Sequence, residues 1–172
     1  MMIRWDGFNI YLLAALAMLM FGGCKSAEER KRDRQITRFE LHLEAKPDRS
    51  EHNELIHVHA IPLTVETEPF LNQGNIKAAQ VVDTNGGFSL SIQFDRRGAS
   101  LLEQYSSSNP GKRIAVYTQF GENLKESRWL AAPKTLHRIS DGVLLFTPDA
   151  TRAEAEQIAL GLNNISKKLK IE

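Results

Sequence analysis

Two apolar-alternating runs flank an Asn-Gly pair between Val81 and Phe94, and this feature constrains the fold more than any other. The segment reads Val81-Val82-Asp83-Thr84-Asn85-Gly86-Gly87-Phe88-Ser89-Leu90-Ser91-Ile92-Gln93-Phe94. Asn-Gly between two such runs specifies a tight hairpin, because glycine takes positive φ without steric cost. Phe88, Leu90, Ile92 and Phe94 then share one face of the outgoing strand, which leaves Ser91 and Gln93 on the other. A strand pair with one apolar face has to bury that face against a second layer.

Period-two alternation recurs along the chain. Phe39, Leu41 and Leu43 alternate with polar residues in a strand that begins near Ile36. Leu55 to Thr67 alternates again, with Ile56, Val58 and Ala60 set against His57 and His59, until Pro62 interrupts it. Further strands are expected over Arg113 to Phe120, around Trp129 to Ala132, and over Val143 to Phe146. Two helices fit between them. Asp95 caps one from Arg96 to about Ser107, with Leu101, Leu102 and Tyr105 as its apolar stripe. Thr151-Arg152-Ala153-Glu154 is a capping box for the other, in which Ala155, Ile158, Ala159 and Leu162 recur at helical spacing. Asn163-Asn164 is expected to stop that helix, and Lys167 to Ile171 fits either a continuation or an edge strand. The fold class is therefore α+β, a mainly antiparallel sheet with two amphipathic helices packed on one face and the other face available.

Composition narrows the function classes. The 172 residues carry 22 basic and 21 acidic side chains, a formal charge of +1, which argues against a nucleic-acid binder. A hydrophobic fraction of 42% is that of a folded chain and not of a disordered one. The single cysteine excludes an internal disulfide framework and any Cys-rich zinc site.

That cysteine, Cys24, has a specific setting. Arg4 precedes an uncharged apolar stretch from Ile10 to Phe21, short for a membrane span and suited to the core of an export signal. Phe21-Gly22-Gly23-Cys24 resembles the lipobox of bacterial lipoproteins, with Phe21 in place of the usual Leu. The resemblance implies cleavage after Gly23 and acylation of Cys24 by diacylglycerol and a third fatty chain such as palmitate. Acyl chains contribute about 0.8 kcal/mol per buried CH₂, so three of them hold a protein on a membrane. Residues 1–23 thus read as a lipoprotein signal peptide, 24–35 as a charged tether, and 36–172 as one α+β domain. Lys25 stands where an Asp would favour inner-membrane retention in enteric bacteria, and inner versus outer membrane stays open.

Residues 88–163 run strand, helix, strand, strand, strand, helix, with recognisable landmarks. These are Ser89-Leu90-Ser91-Ile92-Gln93-Phe94-Asp95, Gly98-Ala99, Gly111-Lys112-Arg113-Ile114-Ala115-Val116-Tyr117, Leu130-Ala131-Ala132-Pro133, Gly142 before Phe146-Thr147, and Glu154-Ala155 before Ile158-Ala159-Leu160. In order and spacing they resemble the periplasmic head subdomain of SecD/SecDF. The resemblance implies a non-catalytic head that contacts exported chains. The proton-driven work of that family belongs to a transmembrane bundle that this sequence does not carry.

Chemistry is sparse. His57-Val58-His59 would put two imidazoles on one strand face, half of a metal site, with His52 or Glu54 as a third ligand. Ile56, Val58 and Ala60 claim the core side, so the histidines read as solvent-facing. Ser106-Ser107-Ser108 lacks the elbow of a nucleophilic serine and reads as turn formers. Trp129 is a core aromatic or a carbohydrate platform, with the core reading favoured. No enzyme, metal or cofactor is expected. The expected function is a membrane-anchored envelope lipoprotein that binds protein and stands near protein export. Its interaction face would include His57, His59, Ser91 and Gln93, and its partners would be membrane lipid through Cys24 and an envelope or exported protein. A cell-wall-acting enzyme and a metal-binding envelope lipoprotein are the alternatives.

Overall fold

The computed structural model describes residues 26–47 and 52–169. The expected signal, Cys24, Lys25, residues 48–51 and residues 170–172 lie outside the described residues. The chain divides between Arg32 and Asp33, and every strand belongs to the second unit.

The charged segment expected as a tether carries a short helix, α1 (Ala27–Arg34). After Ala27 every residue is charged, and the helix buries none of them. Ser26 starts it: the Glu29 amide donates to Ser26 Oγ at 3.1 Å while Glu29 Oε2 accepts from the Ser26 amide at 3.0 Å. That reciprocal pair satisfies two of the free N-terminal donors of the helix. Among the described residues no helix is long and apolar enough to cross a membrane.

In the second unit the strands are β1 (Arg38–Leu43), β2 (Asn53–Val58), β3 (Ile61–Glu66), β4 (Leu71–Asn72), β5 (Ile76–Thr84), β6 (Gly87–Phe94), β7 (Ile114–Phe120), β8 (Glu126–Ala131) and β9 (Val143–Phe146). Helix α2 (Arg96–Ser108) follows β6, and α3 (Arg152–Leu169) ends the described chain. All strand pairs are antiparallel. They form not one sheet but three, ordered β4-β1-β7-β8, β2-β3 and β5-β6-β9.

The Asn85-Gly86 hairpin forms as expected, with Thr84 opposite Gly87 and Gly86 at φ 96°. Asp95 caps α2 by accepting from the Gly98 amide at 2.6 Å. Thr151 and Glu154 form the capping box of α3.

The alternation expected from Leu55 until Pro62, with Ala60 on the core side, ends earlier: the chain turns in a second two-residue hairpin, with Val58 opposite Ile61, and with His59 and the exposed Ala60 both at positive φ (49° and 63°). Contrary to expectation, Asn163-Asn164 do not stop α3, which continues to Leu169. Their amides bond outside the helix instead: Asn164 Nδ2 donates to the Gln35 carbonyl at 3.0 Å, and Asn163 reaches β5. They therefore do not compete with the helical backbone, which is how such residues end helices.

The main core lies between the two larger sheets and the helices α2 and α3. Phe39, Leu41, Val116 and Leu130 come from one sheet, Leu90, Ile92 and Phe146 from the other, and Leu102, Ile158 and Leu162 from the helices. A second, smaller core sits on the opposite face of the four-stranded sheet. There the β2–β3 hairpin packs Ile56, Val58, Leu63 and Val65 against Ala115, with Trp129 and Ala132 at its margin. The face expected to be free on that sheet is thus partly roofed by the hairpin.

Candidate functional site

Among the described residues, the face left uncovered belongs to β5-β6-β9. Leu90, Ile92 and Phe94 turn inward and are at most 2% exposed. Alternation turns Ser91 and Gln93 the other way, and both are half-buried. The register sets Ser91 between Gln80 on β5 and Leu145 on β9, and Gln93 between Ala78 and Val143. Gln80 and Ala78 are exposed, and Leu145 is 55% exposed, large for a leucine. The outer face therefore offers short polar side chains at its centre and an apolar margin along β9.

The two edges of this sheet differ. On β5, Asn163 Oδ1 accepts from the Ala79 amide at 2.9 Å while its Nδ2 donates to the Ala79 carbonyl at 2.8 Å. Ser166 Oγ donates to the Lys77 carbonyl at 2.8 Å, so α3 seals this edge. On β9, the Phe94 amide donates to the Gly142 carbonyl at 2.9 Å. Antiparallel pairing alternates, so Leu144 and Phe146 bond β6 while Val143 and Leu145 direct their backbone groups outward. The Val143 amide is taken by Asp141 Oδ1 at 3.1 Å. The outward N–H and C=O of Leu145 have no partner among the described residues.

His57 and His59 lie elsewhere. His57 faces outward on β2 opposite Pro62, and Glu54 belongs to the inward-facing set of the same strand. His59 is in the turn, its Nε2 3.8 Å from Asp149 Oδ2. The two imidazoles therefore do not share a strand face, which corrects the expected half-site. Among the described residues no three His, Cys, Asp or Glu side chains gather as a metal ion would need. The four residues expected on one interaction face thus divide between two surfaces.

Sequence reasoning missed His42, which is 6% exposed beneath the hairpin. Its Nδ1 is 2.8 Å from the Glu66 carbonyl, and that bond ties β1 to the end of β3. Its ring meets Trp129 edge-on at 5.1 Å, and Trp129 leans on Tyr117 at 5.0 Å. Trp129 is half-buried and packed at the margin of the second core. Ser106, set aside as a turn former, is buried in α2, where its hydroxyl donates to the Glu103 carbonyl and accepts from the Ile139 amide. The Glu154 carboxyl is held below the ordinary glutamate range, chiefly by the Thr151 backbone N–H; burial opposes this, and the Thr151 hydroxyl and the Arg128 guanidinium add to the lowering.

Comparison with known proteins gives this fold a family. The family model of the SecDF P1 head subdomain matches residues 50–166, which extends the sequence resemblance upstream across the β2–β3 hairpin. A crystal structure of SecDF in its super-membrane-facing form aligns over 81% of this chain with a TM-score of 0.58 and 21% identity. This chain spans only 21% of that SecDF chain. A structure of SecDF described as a membrane component that enhances protein export aligns over 84% of this chain and 71% of its own, with a TM-score of 0.57 and 20% identity. No curated protein matches the chain. With more than half of its length matched by that model, and the hairpins, helices and sheets as described, the chain belongs to the SecDF P1 head subdomain family.

Proposed function

We propose that this chain is a non-catalytic polypeptide-binding head that works beside protein export, on the periplasmic side of a bacterial envelope membrane to which lipid on Cys24 holds it. SecDF itself is described as enhancing protein export, and that context comes to this chain through the shared head. The observation that carries the binding role is the asymmetry of the β5-β6-β9 sheet. One edge is closed by α3, and the other presents the Leu145 N–H and C=O beside an open face. An extended polypeptide adds to such an edge by backbone hydrogen bonds, which are indifferent to sequence and so suit a partner that meets many chains. Ser91 and Gln93 lie behind that edge and would meet the side chains of the added strand.

In-cell photocrosslinking from Ser91, Gln93 and Leu145, with the exposed Gln104 of α2 as the control, tests this reading. Adducts with many unrelated exported chains at the first three positions, and few at Gln104, are expected. One dominant envelope protein at every position, or no adduct, would overturn it. Leu145→Pro removes the outward N–H without touching the bonds to β6 and is expected to cut adduct yield severalfold. For the anchor, Cys24→Ser is expected to release the protein from membranes; unchanged association would remove lipidation from the proposal.

A further inference from the structure

A small cavity of about 60 Å³ opens between the tip of the β2–β3 hairpin and the strand ends beneath it. Val58, Ile61, Leu63 and Ala132 give it apolar walls, while His59 and Arg113 bring polar groups to it. Ile61 is on the inward side of the hairpin by register, yet it is 52% exposed because the tip overhangs the sheet. Arg113 is half-buried. Its Nη1 donates to the Ala132 carbonyl at 2.7 Å, and its backbone amide donates to Glu44 Oε2 at 2.7 Å. Among the described residues no carboxylate is in ion-pair reach of its guanidinium, which has five N–H donors and only this one bond. Asp149, the carboxylate beside His59, is 3.8 Å from its Nε2.

We infer that this cavity takes one aliphatic side chain of an extended polypeptide, with the Arg113 guanidinium receiving a carboxylate on the neighbouring residue. The inference rests on the polypeptide-binding reading but names a different surface from the β9 edge. Size favours a small side chain: at about 60 Å³ the cavity is well below the roughly 150 Å³ of an apolar cavity that holds benzene, so a branched aliphatic group fits it better than a ring. Charge selects its neighbour, because a guanidinium forks onto a carboxylate with two parallel hydrogen bonds. The unpaired cation and the apolar walls are the complement of Leu-Glu or Val-Asp in an extended segment.

The test is methyl NMR on the full chain, titrated with N-acetylated, C-amidated Gly-Leu-Glu-Gly. Shift changes are expected at the methyl groups of Val58, Ile61, Leu63 and Ala132. Replacing the peptide Glu by Gln, replacing its Leu by Phe, or introducing Arg113→Gln is expected to weaken binding about tenfold each, the worth of one charge-assisted pair or one buried side chain. Ile61→Asn, at an exposed position that tolerates polarity, is expected to do the same without loss of fold. Equal binding of the Glu and Gln peptides, or shift changes confined to other residues, would overturn the inference. Exported-chain adducts at Leu145 together with a silent cavity would overturn it alone; absence of both would overturn the polypeptide-binding reading as well.

Discussion

The carboxamide of Asn163 takes the place of a neighbouring strand for Ala79, accepting its N–H at 2.9 Å and donating to its C=O at 2.8 Å. An edge strand otherwise presents such groups to any passing chain. Asn163→Leu keeps the helix and much of the volume but leaves both backbone groups of Ala79, a 5% exposed residue, unsatisfied. A loss of about 2 kcal/mol is expected, the cost of a buried group left without a partner. Urea denaturation reads that loss, and sedimentation reads the self-association that a newly open β5 would bring. A variant of unchanged stability and unchanged sedimentation would show that the edge needs no seal.

This bond also marks where the sequence stops being legible. Asn163 and Asn164 read as a helix stop because such side chains ordinarily compete for local backbone, and only the folded chain brings Ala79 and Gln35 within their reach. The His59-Ala60 turn was illegible for a related reason. Alanine is not a usual choice for positive φ, and no Gly, Asn or Asp marks the turn, so the pairing of Ile56 with Leu63 over a second core selects that hairpin more than turn chemistry does. Where local chemistry suffices, as at Asn85-Gly86, Asp95 and Thr151–Glu154, the sequence and the structure agree. The candidate site follows the same division. Ser91 and Gln93 were readable from alternation, but the difference between the β5 and β9 edges depends on where α3 docks.

Gly161 sets that docking. A Cβ there would overlap Thr37 Oγ1 and lie 2.9 Å from both the Ile36 carbonyl carbon and the Thr37 amide nitrogen. Backbone atoms cannot step aside as a flexible side chain can. Gly161→Ala is therefore expected to push α3 off the segment before β1 and to cost about 1–3 kcal/mol, despite alanine's better helix propensity. Thermal unfolding checks the sign. A rise in the melting temperature would contradict the close approach.

Glu154 ties the start of α3 to β8, through Thr151 and a 3.1 Å pair with Arg128. Its carboxyl titrates below the ordinary glutamate value, chiefly because the Thr151 backbone N–H bonds the charged form. The folded state thus prefers the carboxylate. The stabilisation is complete above the unfolded-state pKa, near 4.3 for glutamate, and is lost as pH falls through the lower folded-state value. Glu154→Gln should lower stability at neutral pH and flatten the acid limb of a stability profile taken between pH 6 and pH 3. An acid limb of unchanged slope would assign that limb to other carboxylates.

His42 holds the hairpin roof through one nitrogen only. Nδ1 meets the Glu66 carbonyl at 2.8 Å, while Nε2 is buried without a hydrogen-bond partner among the described residues, 3.7 Å from Glu40 Oε2. An orphaned ring nitrogen is a cost that an apolar side chain would avoid, so the Glu66 bond and the Trp129 contact have to outweigh it. His42→Ala removes both, and it should release β2 and β3 while leaving the main core in place. Amide hydrogen exchange distinguishes the two regions. Protection at Ile56, Leu63 and Val65 should fall at least tenfold, with little change at Leu90, Ile92 and Ile158. A uniform fall across both sets would mean that the roof and the body unfold as one unit.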